Sequence, residues 1–320
     1  MSDDGIHLTL PDGAPLYLRR WLPAQPQGWA LLIVHGMGEH SGRYARFAAA
    51  LNSIGASVYG VDLPGHGLTA RRAGDRGHFA DHDGWNYALA AIDTARRHVA
   101  AEHPRQPLYL FGHSMGSFLS QHYLVEHGRG LAGVILSATN ADMGSLRAAG
   151  VLLMKAESLL LGVRHPSHLA LEMSFRRYNA RLGRTATDYD WLSRDADEVQ
   201  RRVADPLCGF ACTAGLWAEL LSAGATLTDP ARLKKLPRRL PVLLIAGTDD
   251  PVCDFARGSE RLAQAYRQAG LRDVTVWTYS GGRHELLNDI CRNEVTANIL
   301  GWLQEHRAAA LQRSEEEAAA

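Results

Sequence analysis

Four cysteines in 320 residues, no excess charge of either sign and no long apolar run set the first limits on this chain. Cys208, Cys212, Cys253 and Cys291 are too few and too scattered for a disulfide framework. Cys208 and Cys212 have loose metal-like spacing, but no second Cys or His pair follows at zinc-site distance. Lys+Arg and Asp+Glu balance at 34 each, which argues against nucleic acid as a partner, since that needs a basic face. No apolar run reaches the length that crosses a bilayer. The start, MSDDGIHLTL, is acidic and then alternating, without the basic-then-apolar order of a secretory signal. The expectation is a cytoplasmic protein with reduced thiols.

What is present is an ordinary globular composition. Hydrophobic residues make up 46% and charged residues 21%, enough for one large domain or one domain with an insert. Residues 6–10 and 16–22 flank a Pro-Asp-Gly turn signal and read as a hairpin. Short apolar runs follow at 30–34, 57–61, 108–111, 133–136, 242–246 and 274–279, the pattern of strands buried on both faces. Helical patterns lie between them at 44–54, 85–102, 114–127, 255–269 and 286–306. This alternation predicts an α/β fold: a mostly parallel central sheet with helices on both faces.

The rhythm breaks at 140–236, where the pattern is helical and no buried strand is evident. Lying between two core strands, this stretch reads as a helical cap or lid inserted after the sixth strand, over the end of the sheet where such folds bind ligands. The expected division is a core of 1–139 and 237–310, a cap of 140–236 and a flexible tail of 311–320. Within the cap, LLMKAESLLLGV (152–163) places Leu152, Leu153, Leu159, Leu160 and Val163 at helical spacing. Packing of that face on the core is the first reading; peripheral contact with a membrane or micelle is the second.

The chemistry is concentrated in Gly112-His113-Ser114-Met115-Gly116, a G-x-S-x-G between a strand-like and a helix-like segment. In that context the serine sits on a tight, strained turn that projects its hydroxyl, and side chains at the flanking glycines would collide with neighbouring strand and helix. A serine hydroxyl is a weak nucleophile, so a base and an orienting acid are needed. Among fifteen histidines, position selects His284, in the loop after the last strand. Asp249, Asp250, Asp254 and Asp142 all follow strand ends, and spacing does not choose between them. Two backbone N–H groups should hold the oxyanion: that of Met115, after the nucleophile, and that of Met37, between Gly36 and Gly38. Glu39 is placed to fix the shape of that loop, and His40 and His113 to support the site by hydrogen bonds. His66, His78 and His82 with Asp75, Asp81 and Asp83 lack the helical spacing of a metal site, and none is expected.

HGMGEHSGRY (35–44), DLPGHG (62–67), GHSMG (112–116), GTDDPVCD (247–254) and GGRHELLND (281–289) together resemble the α/β-hydrolase fold. More narrowly they resemble the monoacylglycerol lipase and lysophospholipase group, including its bacterial members. WLSRDADEVQRRVADPLCGF (191–210) is similar to the cap of the bacterial lysophospholipase-like proteins. The resemblance implies Asp250 as the acid and supports Met37 and Met115 as the oxyanion amides. It implies a serine hydrolase of single-acyl lipid esters, monoacylglycerol or lysophospholipid, working with a Ser114–His284–Asp250 triad and without cofactor or metal. The alternatives are a short-chain carboxylesterase, an amidase or aminopeptidase on the same fold, and a non-catalytic binding protein on this scaffold.

Overall fold

The computed structural model describes residues 4–70, 72–144, 146–183 and 185–319. Its strands are β1 (Asp4–Thr9), β2 (Pro15–Trp21), β3 (Ala30–Val34), β4 (Ser57–Val61), β5 (Leu108–His113), β6 (Gly133–Ser137), β7 (Val242–Gly247) and β8 (Val274–Tyr279). They form one sheet in the order β1-β2-β4-β3-β5-β6-β7-β8. β1 and β2 pair antiparallel, β2 pairs antiparallel with β4, and all remaining pairs are parallel. This is the α/β-hydrolase fold.

The five strands β3 to β7 are buried along their whole length because both faces are covered. Successive side chains of β3 alternate between the layers: Leu32 and Val34 face one core, Leu31 and Ile33 the other. The first core is closed by α2 (Gly84–Glu102) and α3 (Met115–His127), through residues such as Ile92, Phe118 and Leu119. The second is closed by α1 (Ala45–Ser53) and the C-terminal α11 (Arg292–Ala319), through Phe47, Leu51, Ile299 and Trp302. The chain leaves β3 toward β4 on one side and returns to β5 on the other. The carboxyl ends of β3 and β5 therefore flank a topological switch point, where this class of sheet opens a crevice.

Between β6 and β7 lie α4 (Arg147–Leu161), α5 (His168–Leu171), α6 (Arg177–Ala180), α7 (Ala196–Ala204), α8 (Ala214–Ala223) and α9 (Pro230–Leu233). α7 is capped by the Asp195 carboxylate, which accepts from the Asp197 and Glu198 amides, and α8 by the Thr213 hydroxyl, which accepts from Leu216 N. α4 corrects the sequence reading. Its leucines do not face the core: Leu152, Leu159 and Leu160 are exposed, Leu159 by 86%, while Met154 is 2% exposed. The reason is the partner. α4 packs on α8 through its Gly150 and Met154 stripe, and a Cβ on Gly150 would stand 3.0 Å from Leu221 Cδ1. That stripe falls on the other side of the helix from Leu152 and Leu159.

All five expected helix starts move, those of α1 and α2 by a single residue and the other three for a reason visible in the backbone. α3 begins at Met115 rather than at Ser114, whose φ of 51° is outside the helical region. The helix expected from residue 255 is α10 (Arg257–Gln268), because Asp254, Phe255 and Ala256 all have positive φ. Residues 286–288 form a separate turn, so α11 starts only at Arg292. The backbone of 311–319 continues α11; the side chains of that suggested tail lie outside the described residues.

Candidate active site

β5 delivers Ser114 to the switch point. Its backbone is held at φ 51°, ψ −121°, a strained conformation for a residue with a Cβ. The turn closes because its flanks carry none. A Cβ on Gly112 would stand 2.7 Å from Gly116 O, and one on Gly116 would strike the carbonyls of Val34 and His35. So one glycine admits the helix and the other admits β3, as the spacing predicts.

His284 comes from the loop after β8 and Asp250 from the loop after β7. These strands pair as far as Gly247 and Tyr279, and the loops are then stitched together: Asp249 N donates to Gly282 O at 2.9 Å, and Gly281 N to Thr248 Oγ1 at 2.8 Å. That stitching leaves Asp249 exposed and Asp250 fully buried. His284 Nδ1 lies 2.9 Å from Asp250 Oδ2, and His284 Nε2 lies 2.9 Å from Ser114 Oγ. Asp250 Oδ1 accepts from Val252 N at 2.9 Å. Burial alone would push the Asp250 carboxyl up; the electrostatic pull of the His284 ring and its hydrogen bond overcome it and hold the group below its usual value. An ionised Asp250 is acceptor-only, so Nδ1 carries the imidazole proton and Nε2 is free to accept from the serine hydroxyl.

Two tilted rings lie against the imidazole, Trp191 and His113, each with its centroid 4.9 Å away. Burial first, and the His284 charge second, bring the His113 pKa down to about 4, so a neutral ring flanks the site. The other acidic candidates are elsewhere engaged. Asp254 pairs with Arg257 and Arg261, and Asp142 lies 3.7 Å from Arg261.

The loop after β3 stands against Ser114: a Cβ on Gly36 would be 3.2 Å from Ser114 Cβ. Among the described residues, neither Met37 N–H nor Met115 N–H has an acceptor. The Met115 amide opens α3, where the helix dipole favours negative charge. Sequence reasoning missed the residue that sets the Met37 amide. His35 Nε2 accepts from Leu63 N at 3.0 Å, so Nδ1 carries the proton and donates to Gly36 O at 2.7 Å. Fixing that carbonyl fixes the peptide plane, and a trans peptide turns Met37 N–H the opposite way. Burial lowers the His35 pKa and keeps this tautomer neutral.

Below the loop lies a buried set of four charges that sums to zero. Glu39 Oε1 accepts from Gly36 N at 2.6 Å and Tyr44 OH at 2.9 Å, and Glu39 Oε2 from Arg43 Nη1 at 2.8 Å. Arg43 also binds both oxygens of Glu285, each at 2.6 Å. Burial works against the Glu39 charge, but Arg43, with His113 and His35, holds its carboxyl well below the usual range. Arg202, from α7, donates from Nη2 to Gly38 O at 3.2 Å; its Nε stands 3.4 Å from Glu285 Oε1, close enough to pair but not aligned as a hydrogen bond. The expected role of Glu39 has a concrete form here. Arg43, one helical turn on, and Glu285, next to the imidazole, were the available signals for the rest.

Two clusters of possible metal ligands can also be placed. His78 Nε2 lies 3.1 Å from Asp81 Oδ1, which Arg164 also holds. His40, Asp205 and Cys208 gather ligand atoms within 4.8 Å. There His40 Nδ1 accepts from Gly42 N and Nε2 lies 2.9 Å from Asp205 Oδ2, while burial pushes the Cys208 thiol up to about 12. A neutral thiol beside an imidazole whose two nitrogens are already engaged is a poor fit to a metal.

Ser114 and His284 open into a cavity of about 540 Å³. One wall is apolar, with Phe118, Leu153, Met154, Trp217 and Leu220 from α3, α4 and α8. No described helix is long and apolar enough to cross a membrane.

Residues 25–290 match the family described as serine aminopeptidase, S33. The chain is 30% identical to the monoglyceride lipase of Mus musculus over 309 residues, 95% of this chain and 91% of that one. It is similar to a solved carboxyl esterase from Bacillus coagulans in complex with glycerol, with a TM-score of 0.87 and 27% identity over 96% of this chain and 99% of the other. It is also similar to the monoacylglycerol lipase of Paleococcus ferrophilus, with a TM-score of 0.67 and 27% identity over 90% and 99%.

Proposed function

Since the chain belongs to the α/β-hydrolase family described as serine aminopeptidase, S33, and within it to the monoacylglycerol lipase-like group of carboxylic ester hydrolases, we propose that it cleaves single-acyl lipid esters through a Ser114–His284–Asp250 triad. The observation that carries this reading is the unbroken hydrogen-bond chain from buried Asp250 through His284 to Ser114, opening on a cavity with one apolar wall.

His284 Nε2 takes the Ser114 proton as Oγ attacks the ester carbonyl. The amides of Met37 and Met115 receive the oxyanion. The imidazolium, stabilised by Asp250, returns its proton to the departing alcohol, leaving the acyl chain on Ser114. Water, deprotonated by the same nitrogen, then releases the fatty acid. Residues 140–236 form the cap over this site, and the leucines that α4 exposes are its contact with a lipid aggregate. The cavity lies within the ~300–1,000 Å³ range of sites that enclose a drug-sized ligand, which favours a long acyl chain over a short one.

Hydrolysis of a panel of monoacylglycerols, lysophospholipids, p-nitrophenyl esters of graded length and aminoacyl amides, with Ser114→Ala as control, tests the proposal. Turnover rising with acyl length and absent in the variant is expected. Preference for the shortest esters or for amides would contradict it.

A further inference from the structure

The cavity has a second wall of different character. It carries Arg177, Tyr178 and Arg181 from α6 and the turn after it, facing the acidic loop that follows β7. Tyr178 packs on Trp191 at 5.1 Å between centroids, and Trp191 on His284 at 4.9 Å. The Arg181 guanidinium stands 5.8 Å over the Phe255 ring, whose amide donates to Asp250 O. This wall is therefore the His284–Asp250 side of the site.

The arginines there are unequally paired. Arg261 is neutralised by Asp254 and Asp142, and Arg257 by Asp254. Arg177 and Arg181 have no carboxylate partner among the described residues, and the Tyr178 hydroxyl has no hydrogen-bond partner there. Two like charges four residues apart on a helical turn repel each other, an arrangement that a ligand anion relieves. The reaction says which part of a substrate would lie beside them. His284 must protonate the leaving oxygen, so the alcohol and its head group depart on the His284 side, while the acyl chain takes the apolar wall.

Resting on the hydrolase reading above, we infer that Arg177 and Arg181 form a subsite for an anionic, phosphate-bearing head group, so that the preferred substrate is a negatively charged single-acyl phospholipid rather than an uncharged monoacylglycerol. Guanidinium groups suit this task because they present paired donors to phosphate oxygens.

The test compares kcat/KM for palmitoyl lysophosphatidylglycerol and monopalmitoylglycerol in the same non-ionic micelles, for the wild type and for R177Q/R181Q. Loss of two charged contacts should lower the lysophosphatidylglycerol value about 10- to 100-fold and leave the monopalmitoylglycerol value within about 3-fold. An R177K/R181K variant should keep most of the preference. In the wild type the preference should shrink as salt rises, since the pair is exposed; this arm needs no variant to fold. Equal losses on both lipids, no loss on the charged one, or a salt-independent ratio would overturn the assignment. So would inorganic phosphate inhibiting the wild type below the KM of the lipid and not the double variant, which would assign the pair to free phosphate. If no protein hydrolyses even p-nitrophenyl butyrate, the hydrolase reading has failed; if that ester is cleaved normally and the lipids are not discriminated, only the head-group subsite has.

Discussion

Arg43 and Glu285 meet through two parallel hydrogen bonds of 2.6 Å each, across 242 residues of sequence. Arg43 also holds Glu39, which anchors the Gly36 amide, and Glu285 follows His284 directly. One guanidinium thus ties the loop proposed to stabilise the oxyanion to the loop that carries the proposed base. Replacing Arg43 by Met leaves buried Glu39 without its cation and Glu285 with only the poorly aligned Arg202. The expected loss is about 3–5 kcal/mol of unfolding free energy, measured by urea denaturation. A loss under 1 kcal/mol would mean the pair is not holding these loops.

His35 offers a test that separates positioning from stability. His35→Phe keeps a ring in place but removes the donor to Gly36 O. The Met37 amide then loses its fixed direction, and kcat should fall about 10-fold or more while KM changes little. Steady-state kinetics on a soluble ester would show it. A rise in KM at unchanged kcat would place His35 in substrate binding instead.

Much of the candidate site can be read before any coordinates, and the limits have physical causes. Ser114 is legible because a strand, a tight turn and a helix leave a local signature. His284 is legible because it follows the last strand. Asp250 is not separable from Asp249 by spacing; only the stitching of Thr248 and Asp249 to the neighbouring loop buries one and exposes the other. Arg202 reaches Gly38 across 164 positions, a contact no periodicity encodes. The α4 leucines mislead for a related reason: an apolar pattern reports which residues are apolar, and not which side of the helix the partner α8 takes.

Those exposed leucines give a third expectation. Leu159→Ser and Leu160→Ser together remove apolar surface that touches no core cluster. Activity on monoacylglycerol in vesicles should fall several-fold, about 1–2 kcal/mol in apparent binding. Turnover of p-nitrophenyl butyrate in solution should not change. Equal effects on both substrates would remove the case for lipid contact through α4.

Stability should depend on pH in a set direction. Burial lowers the pKa of His66 to about 3 and, with the His284 charge, that of His113 to about 4. Unfolded histidine titrates near 6.5, so between about 6.5 and 4 the unfolded chain binds protons that the folded state refuses. Stability then falls as pH drops through that window, by about 1.4 kcal/mol per pH unit for each such histidine. Asp250, Glu39 and Glu285 are held low instead. Their contribution is complete above about 4, the unfolded value, and is lost only as pH falls further through the folded ones. His66→Asn should flatten the slope between pH 6.5 and 4; an unchanged slope in urea unfolding would contradict the assignment.

The most direct measurement is mass spectrometry after reaction with a fluorophosphonate, which phosphonylates an activated serine. The wild type should gain one adduct on Ser114, with loss of fluoride, and His284→Ala and Asp250→Asn should label slower by about 100-fold or more. An adduct on another serine, or none on the folded protein, would contradict Ser114 as the nucleophile.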